Sequence, residues 1–118
     1  MTDEWKIEFY IDENGHIPVR DFLEGLDKVT YARFLASLEQ VRVRNIQARE
    51  PLVRHVEGKI WEIREESKTN IYRILYIFFT GKRIILLHGF VKKTQKLPRK
   101  ELDIALRRLN SFREREGK

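Results

Sequence analysis

The chain has 118 residues, of which 42% are hydrophobic and 36% charged, so we expect one folded domain over residues 1–118. It has no cysteine, which excludes disulfides and thiolate chemistry. No apolar run reaches the length of a membrane span and the N-terminus lacks a signal-peptide pattern, so we expect a cytoplasmic protein.

The N-terminal half predicts one strand and two helices. WKIEFYI, at residues 5–11, is rich in aromatic and β-branched residues and favours a strand. A short helix should begin at Pro18 and end near Gly25. KVTYARFLASLEQVRVRNIQARE predicts a longer helix that Pro51 ends. Its apolar stripe should comprise Tyr31, Phe34, Leu35, Leu38 and Val41.

The C-terminal half predicts three strands and a helix. The strands are KIWEIRE, IYRILYIFF and IILLHGFV, and the last helix begins at Pro98. One face of that helix carries Leu102, Ala105, Leu106, Leu109 and Phe112. The order β-α-α-β-β-β-α predicts an α+β fold: an antiparallel sheet, N-terminal helices packed on one side, and a C-terminal helix.

The positive charge is concentrated in one third of the chain. The segment from Ser67 to Lys100 contains no Asp or Glu, yet it holds nine basic residues: Lys68, Arg73, Lys82, Arg83, Lys92, Lys93, Lys96, Arg99 and Lys100. A local field of one sign attracts polyanions, and nucleic acid is the commonest of these. The net charge of +6 therefore favours a nucleic-acid partner over a merely solvated basic face.

Arg73 stands alone in the apolar run IYRILY. An unpaired guanidinium is costly to bury, so Arg73 either pairs with Glu62 on the neighbouring strand or holds a phosphate bidentately. Local chemistry leaves both possibilities open. Arg64 lies two residues after Glu62 on the same face, which is either an ordinary solvated surface or part of a groove beside Arg73.

The last predicted strand carries a second group of candidate site residues. His88, Phe90 and Lys92 share one face, and Gly89 between them suits a bulge or a close backbone approach. His88 is expected to be a satisfied core residue; exposed, it would suit proton transfer. Phe90 is either a core residue or a stacking surface for a base.

The lysines after the strand are less ambiguous. Lys92, Lys93 and Lys96 crowd one short turn without an acid nearby, which favours a phosphate site over simple solubility. His16, His55 and His88 lack metal-ligand spacing, and no P-loop or dinucleotide fingerprint is present, so we expect neither a metal nor a cofactor. RNA cleavage through its own 2′-OH is a metal-free reaction that basic side chains can support.

The segments GKIWEIRE, IYRILYIF and RIILLHGFVKKTQKLPRKELDIALRRL resemble the phage-derived, HigB-like branch of the RelE/ParE toxin superfamily over residues 58–109. The resemblance implies the toxin of a type II toxin–antitoxin pair, with a RelE-like fold. The family's basic and histidine positions correspond here to Arg64, Arg73, Lys92, Lys93, Lys96 and His88. Glu62 is a candidate for orienting Arg73 or moving a proton. Lys68, Arg99 and Phe90 are further candidates for RNA contact. Leu97 in TQKLP departs from the family's usual threonine.

The resemblance leaves three functions to distinguish. The first is an mRNA endoribonuclease acting in the ribosomal A site. The second is a ParE-like toxin that poisons a topoisomerase without cutting RNA, and the third is a plain nucleic-acid-binding module. If the protein is a toxin of either kind, the expected partner is an antitoxin with a helix-turn-helix domain.

Overall fold

A five-stranded sheet forms the centre of the protein in a computed structural model that describes residues 4–117. The elements in chain order are β1 (Lys6–Phe9), α1 (Pro18–Glu24), α2 (Lys28–Arg44), a 3-10 turn (Asn45–Gln47), β2 (Val53–Glu57), β3 (Ile60–Glu66), β4 (Ile71–Phe79), β5 (Arg83–Lys92) and α3 (Arg99–Arg115). The strand order is β1-β5-β4-β3-β2. The α+β fold predicted from the sequence is confirmed.

Two features of the sheet differ from the prediction, which lacked β2 and was wrong in making every pairing antiparallel. β2 is a strand that the sequence analysis left as a connection, because VRHVE is short and half charged and its pattern is weak. β1 pairs with β5 in parallel, whereas the other three pairings are antiparallel, so the sheet is mixed. The parallel pairing places β1 at one edge of the sheet, and β2 lies at the other.

Helices α1 and α2 cover one face of the sheet. Phe34, Leu38 and Val41 of α2 pack with Ile63 and Ile74 in the first core. The predicted stripe is partly wrong, because Tyr31 and Leu35 are exposed and Thr30 is buried in their place. The helix is therefore rotated relative to the prediction. It also ends earlier, since Asn45 adopts a positive φ of 42°.

Helix α3 covers part of the opposite face. It buries Leu102, Ala105, Leu109 and Phe112 against Ile77, Ile85 and other residues of the sheet, as the spacing of its apolar residues predicted. Within residues 4–117, no helix has the length and apolar character to cross a bilayer.

Gly89 lets α1 approach the centre of β5. A Cβ built at this position would lie 2.4 Å from Cδ2 of Phe22, far inside van der Waals contact. The pairing of β4 with β5 also shifts register next to Leu75 and Tyr76, as a bulge does. The close approach expected at Gly89 is thus present, whereas the register shift falls on earlier residues of β5 and Gly89 itself pairs regularly with Ile74.

Candidate nucleic-acid interface

Cross-strand pairing gathers the polar residues on the sheet face that α3 covers only in part. Arg73 pairs with Phe90 on one side and with Arg64 on the other. In the adjacent row, Leu75 lies between His88 and Glu62, and Glu62 pairs in turn with Arg54. The sequence-predicted residues of three strands therefore meet in two neighbouring rows.

Glu62 is the centre of an arginine cluster. Its carboxylate is 1% exposed and lies 2.9 Å from Nε of Arg73, 3.1 Å from Arg54 and 3.6 Å from Arg64. The Arg73–Glu62 contact is a close ion pair that lacks hydrogen-bond geometry. One negative charge thus faces three positive charges, and both of its oxygens are engaged.

Arg73 is completely buried. Its terminal nitrogens donate to the backbone carbonyls of Thr94 and Lys96, each at 3.2 Å, and to that of Gln95. Its guanidinium also lies 5.9 Å from the ring centre of Phe90. Burial lowers the pKa of Arg73, and the charge of Glu62 opposes that shift. Of the two possibilities left open, the structure shows the ion pair, and Arg73 exposes no surface for a phosphate.

His88 belongs to a second buried cluster. Its Nε2 lies 2.6 Å from Oε1 of Glu101, and its Nδ1 lies 3.1 Å from the guanidinium of Arg108. Because Arg108 only donates, Nδ1 accepts and Nε2 carries the proton, which is the neutral imidazole. Burial lowers the pKa of His88, although the hydrogen bond to Glu101 acts in the other direction. The expectation of a satisfied core histidine is met.

The other oxygen of Glu101 connects this cluster to the surface. Its Oε2 lies 3.7 Å from Nζ of Lys92, whose side chain is 34% exposed. Phe90 is 7% exposed and stacks on His88, with ring centres 5.3 Å apart, so its ring is a core element and offers no face to a base. Glu101 was missed by the sequence analysis, although it is the first acid after the basic segment.

The remaining predicted residues lie at the surface. Lys93 and Lys96 are exposed in the basic loop (residues 93–98), and no carboxylate within residues 4–117 pairs with either. Lys68 is exposed in the β3–β4 turn, at the same end of the sheet as Lys92 because Ile71 pairs with Lys92. Arg99 is exposed but engaged, since it forms ion pairs with Glu57 and Asp103.

Arg64 connects the basic loop to the arginine cluster. Its NH1 donates to the side-chain oxygen of Gln95 at 2.8 Å, and its side chain is 24% exposed. Beside it is a cavity of about 340 Å³, lined in part by Arg54, Leu52 and Glu65. Arg54 was missed by the sequence analysis because it lies on the unpredicted strand β2. Among the described residues no cluster of acids and histidines suited to a metal ion occurs.

The fold and this surface define a small RelE-like α+β domain with one basic end. The chain belongs to the family described as "Phage derived protein Gp49-like (DUF891)", whose model matches residues 21–110. This is in general a family of RelE/HigB-like toxins. No curated protein matches the chain.

Proposed function

We propose that this protein is the toxin of a type II toxin–antitoxin pair, of the HigB-like branch, and that it cleaves mRNA in the ribosomal A site and so inhibits translation. The observation that supports this most is the basic rim, which comprises Arg64, Lys92, Lys93 and Lys96. Lys93 and Lys96 have exposed side chains, whereas those of Arg64 and Lys92 are partly exposed, and Lys92 lies at the end of β5 opposite Ile71. Such a surface suits the phosphates of a single RNA strand.

The chemistry uses the 2′-OH of the RNA as nucleophile. Its oxygen bonds to the adjacent phosphorus, its proton passes to a base, the bond from phosphorus to O5′ breaks, and an acid protonates O5′. The products are a 2′,3′-cyclic phosphate and a 5′-hydroxyl end. Arg64, Lys93 and Lys96 would hold phosphate oxygens and stabilise the charge that develops on them.

The roles of the buried residues follow from their contacts. Glu62 keeps its arginines oriented, because both of its oxygens already bind cations. Lys92 is the exposed member of the chain that runs through Glu101 to His88, and we assign it proton exchange at the rim. His88 supports Glu101 from beneath, since both of its ring nitrogens are engaged.

The proposed partner is an antitoxin that carries a helix-turn-helix domain and covers the basic rim with an acidic segment. The proposed site of action is the cytoplasm, where translating ribosomes are found. The antitoxin and the cytoplasmic site of action follow from the proposal that the protein is a toxin. The acidic segment follows from the excess positive charge of the rim. Co-purification of the protein with the product of an adjacent gene tests the partner.

Mapping of transcript 5′ ends after brief induced expression tests the nuclease. We expect new ends inside translated reading frames, and RNA with a 5′-hydroxyl at those ends. The paired change Lys93→Ala/Lys96→Ala should abolish the cuts, whereas Arg20→Ala, which removes an exposed charge from α1, should not.

The same experiment separates the alternatives. Intact transcripts together with DNA damage would support a ParE-like topoisomerase poison instead. Intact transcripts without growth arrest, but with salt-dependent RNA binding, would support a plain binding module.

A further inference from the structure

We infer that Arg73 is a positioning residue: from inside the protein it holds the backbone of the basic loop, and it thereby fixes Lys93 and Lys96 at the rim without touching RNA itself. This inference rests on the proposed function for its RNA part only. The holding of the loop is a property of the folded chain and can be measured without RNA.

The donors of Arg73 point at the basic loop. Its NH1 and NH2 point at three consecutive carbonyls, those of residues 94, 95 and 96. These carbonyls come from residues 21 to 23 positions further along the chain, so the contacts join β4 to a segment that has no regular secondary structure. A planar guanidinium suits this task because its five N–H donors form a fixed fork.

Few other contacts attach the basic loop to the sheet. Between the end of β5 and the partly buried Leu97, the side chains of residues 93–96 are exposed. Within residues 4–117, Arg64 makes the one further hydrogen bond from a side chain of the sheet to this segment, and it donates to Gln95. Loss of the Arg73 contacts should therefore release the segment that carries both lysines.

The contacts of Arg73 also orient the basic loop. Because the carbonyls of residues 94–96 turn inward to Arg73, the side chains of Lys93 and Lys96 are left on the outside. The carbonyl oxygens of the loop also attract a positive charge beneath them, because they are the negative ends of peptide dipoles. Glu62 offsets part of the cost of burying this charge.

Direct phosphate contact by Arg73 after displacement of the loop is the competing explanation, and additivity separates the two. If Arg73 acts through Lys93 and Lys96, its substitution cannot weaken RNA binding further once both lysines are alanine. If Arg73 binds a phosphate itself, the two losses should add.

The experiment begins with trypsin, which cleaves after lysine and arginine, and the masses of the fragments identify the cuts after Lys93 and Lys96. In Arg73→Lys, which keeps the charge but loses the fork, cleavage after Lys93 and Lys96 should be at least about tenfold faster than in the parent protein, as expected when a held segment opens locally. Arg20→Lys serves as the matched control and should cleave at the parent rate. Unchanged cleavage in Arg73→Lys would overturn the inference, whatever the RNA-binding measurement shows.

The second part measures binding of a short single-stranded RNA with 2′-O-methyl sugars, which cannot be cleaved by this chemistry because the blocked 2′ oxygen is no longer a nucleophile. Arg73→Met should weaken binding several-fold in the parent and by less than about twofold in Lys93→Ala/Lys96→Ala. An equal loss in both backgrounds would show direct contact and overturn the inference. Should Arg73→Met fail to fold by circular dichroism, Arg73→Lys replaces it in the same comparison. A parent protein that binds this RNA neither free nor on a ribosome would contradict the proposed function, while the trypsin result would still decide the role of Arg73.

Discussion

Substitution of Gly89 by alanine tests how closely Phe22 of α1 packs against β5 on the sheet face opposite the site. The added Cβ would lie 2.4, 2.7 and 3.0 Å from three ring atoms of Phe22. Real Cβ atoms do not approach so closely, so either the ring or β5 must move. Overpacking of this kind costs about 1–3 kcal/mol. The φ of Gly89 is not in the left-handed region, so alanine should regain about 0.4–1 kcal/mol from the unfolded chain.

The difference predicts a net loss of about 1–2 kcal/mol in the free energy of unfolding. For a domain of this size, that corresponds to a fall in Tm of roughly 4–8 °C. Urea unfolding followed by circular dichroism measures the free energy, and a thermal scan measures Tm. Gly25→Ala is the matched control, because a Cβ at Gly25 would meet its nearest atoms at 3.6 and 3.7 Å, which is ordinary contact.

A double-mutant cycle identifies the cause. In a Phe22→Ala background the obstructing ring is absent, so Gly89→Ala should no longer destabilise the protein. If the loss persists there undiminished, the steric explanation is wrong. Because Gly89 lies between His88 and Phe90, the same variant should also disturb the buried cluster beside Lys92.

Three further predictions concern the charged groups. Lowering the pH from about 7 to about 5.5 should reduce the free energy of unfolding, because burial holds the pKa of folded His88 below 6.5 and the unfolded chain takes up the proton first; His88→Gln, compared by urea unfolding, should remove much of that dependence. Glu62→Gln should cost about 3 kcal/mol, since it leaves three arginines without their shared carboxylate, whereas Glu66→Gln at the exposed strand end should cost far less. In RNA binding, Lys93→Ala and Lys96→Ala should each lower the log–log salt slope by about 0.7, and an unchanged slope would mean that neither contacts phosphate.

Much of the fold followed from local patterns. The apolar spacing of α3, the alternation of β3 and the continuous apolar run of β4 each correspond to an element that the structure contains. Strand β2 and the parallel pairing of β1 were not predicted, because a five-residue, half-charged strand has little periodicity and pairing direction depends on the path of the connecting helices.

The residues proposed for the site from the sequence remain a prediction, and the structure adds Arg54, Glu101 and Arg108 to their surroundings. The sequence by itself determined which residues are basic, that Arg73 would stand in an apolar strand, and that Gly89 would permit a close approach. Only the tertiary structure decided which of these side chains point into the protein and which lie at its surface. Arg73 turns inward because Glu62 and the carbonyls of residues 94–96 come together around it, and those partners are close in space while distant in the chain. Lys93 and Lys96 remain outside because the same carbonyls face the interior, so a short loop held by one buried cation of β4 carries two exposed cations of its own.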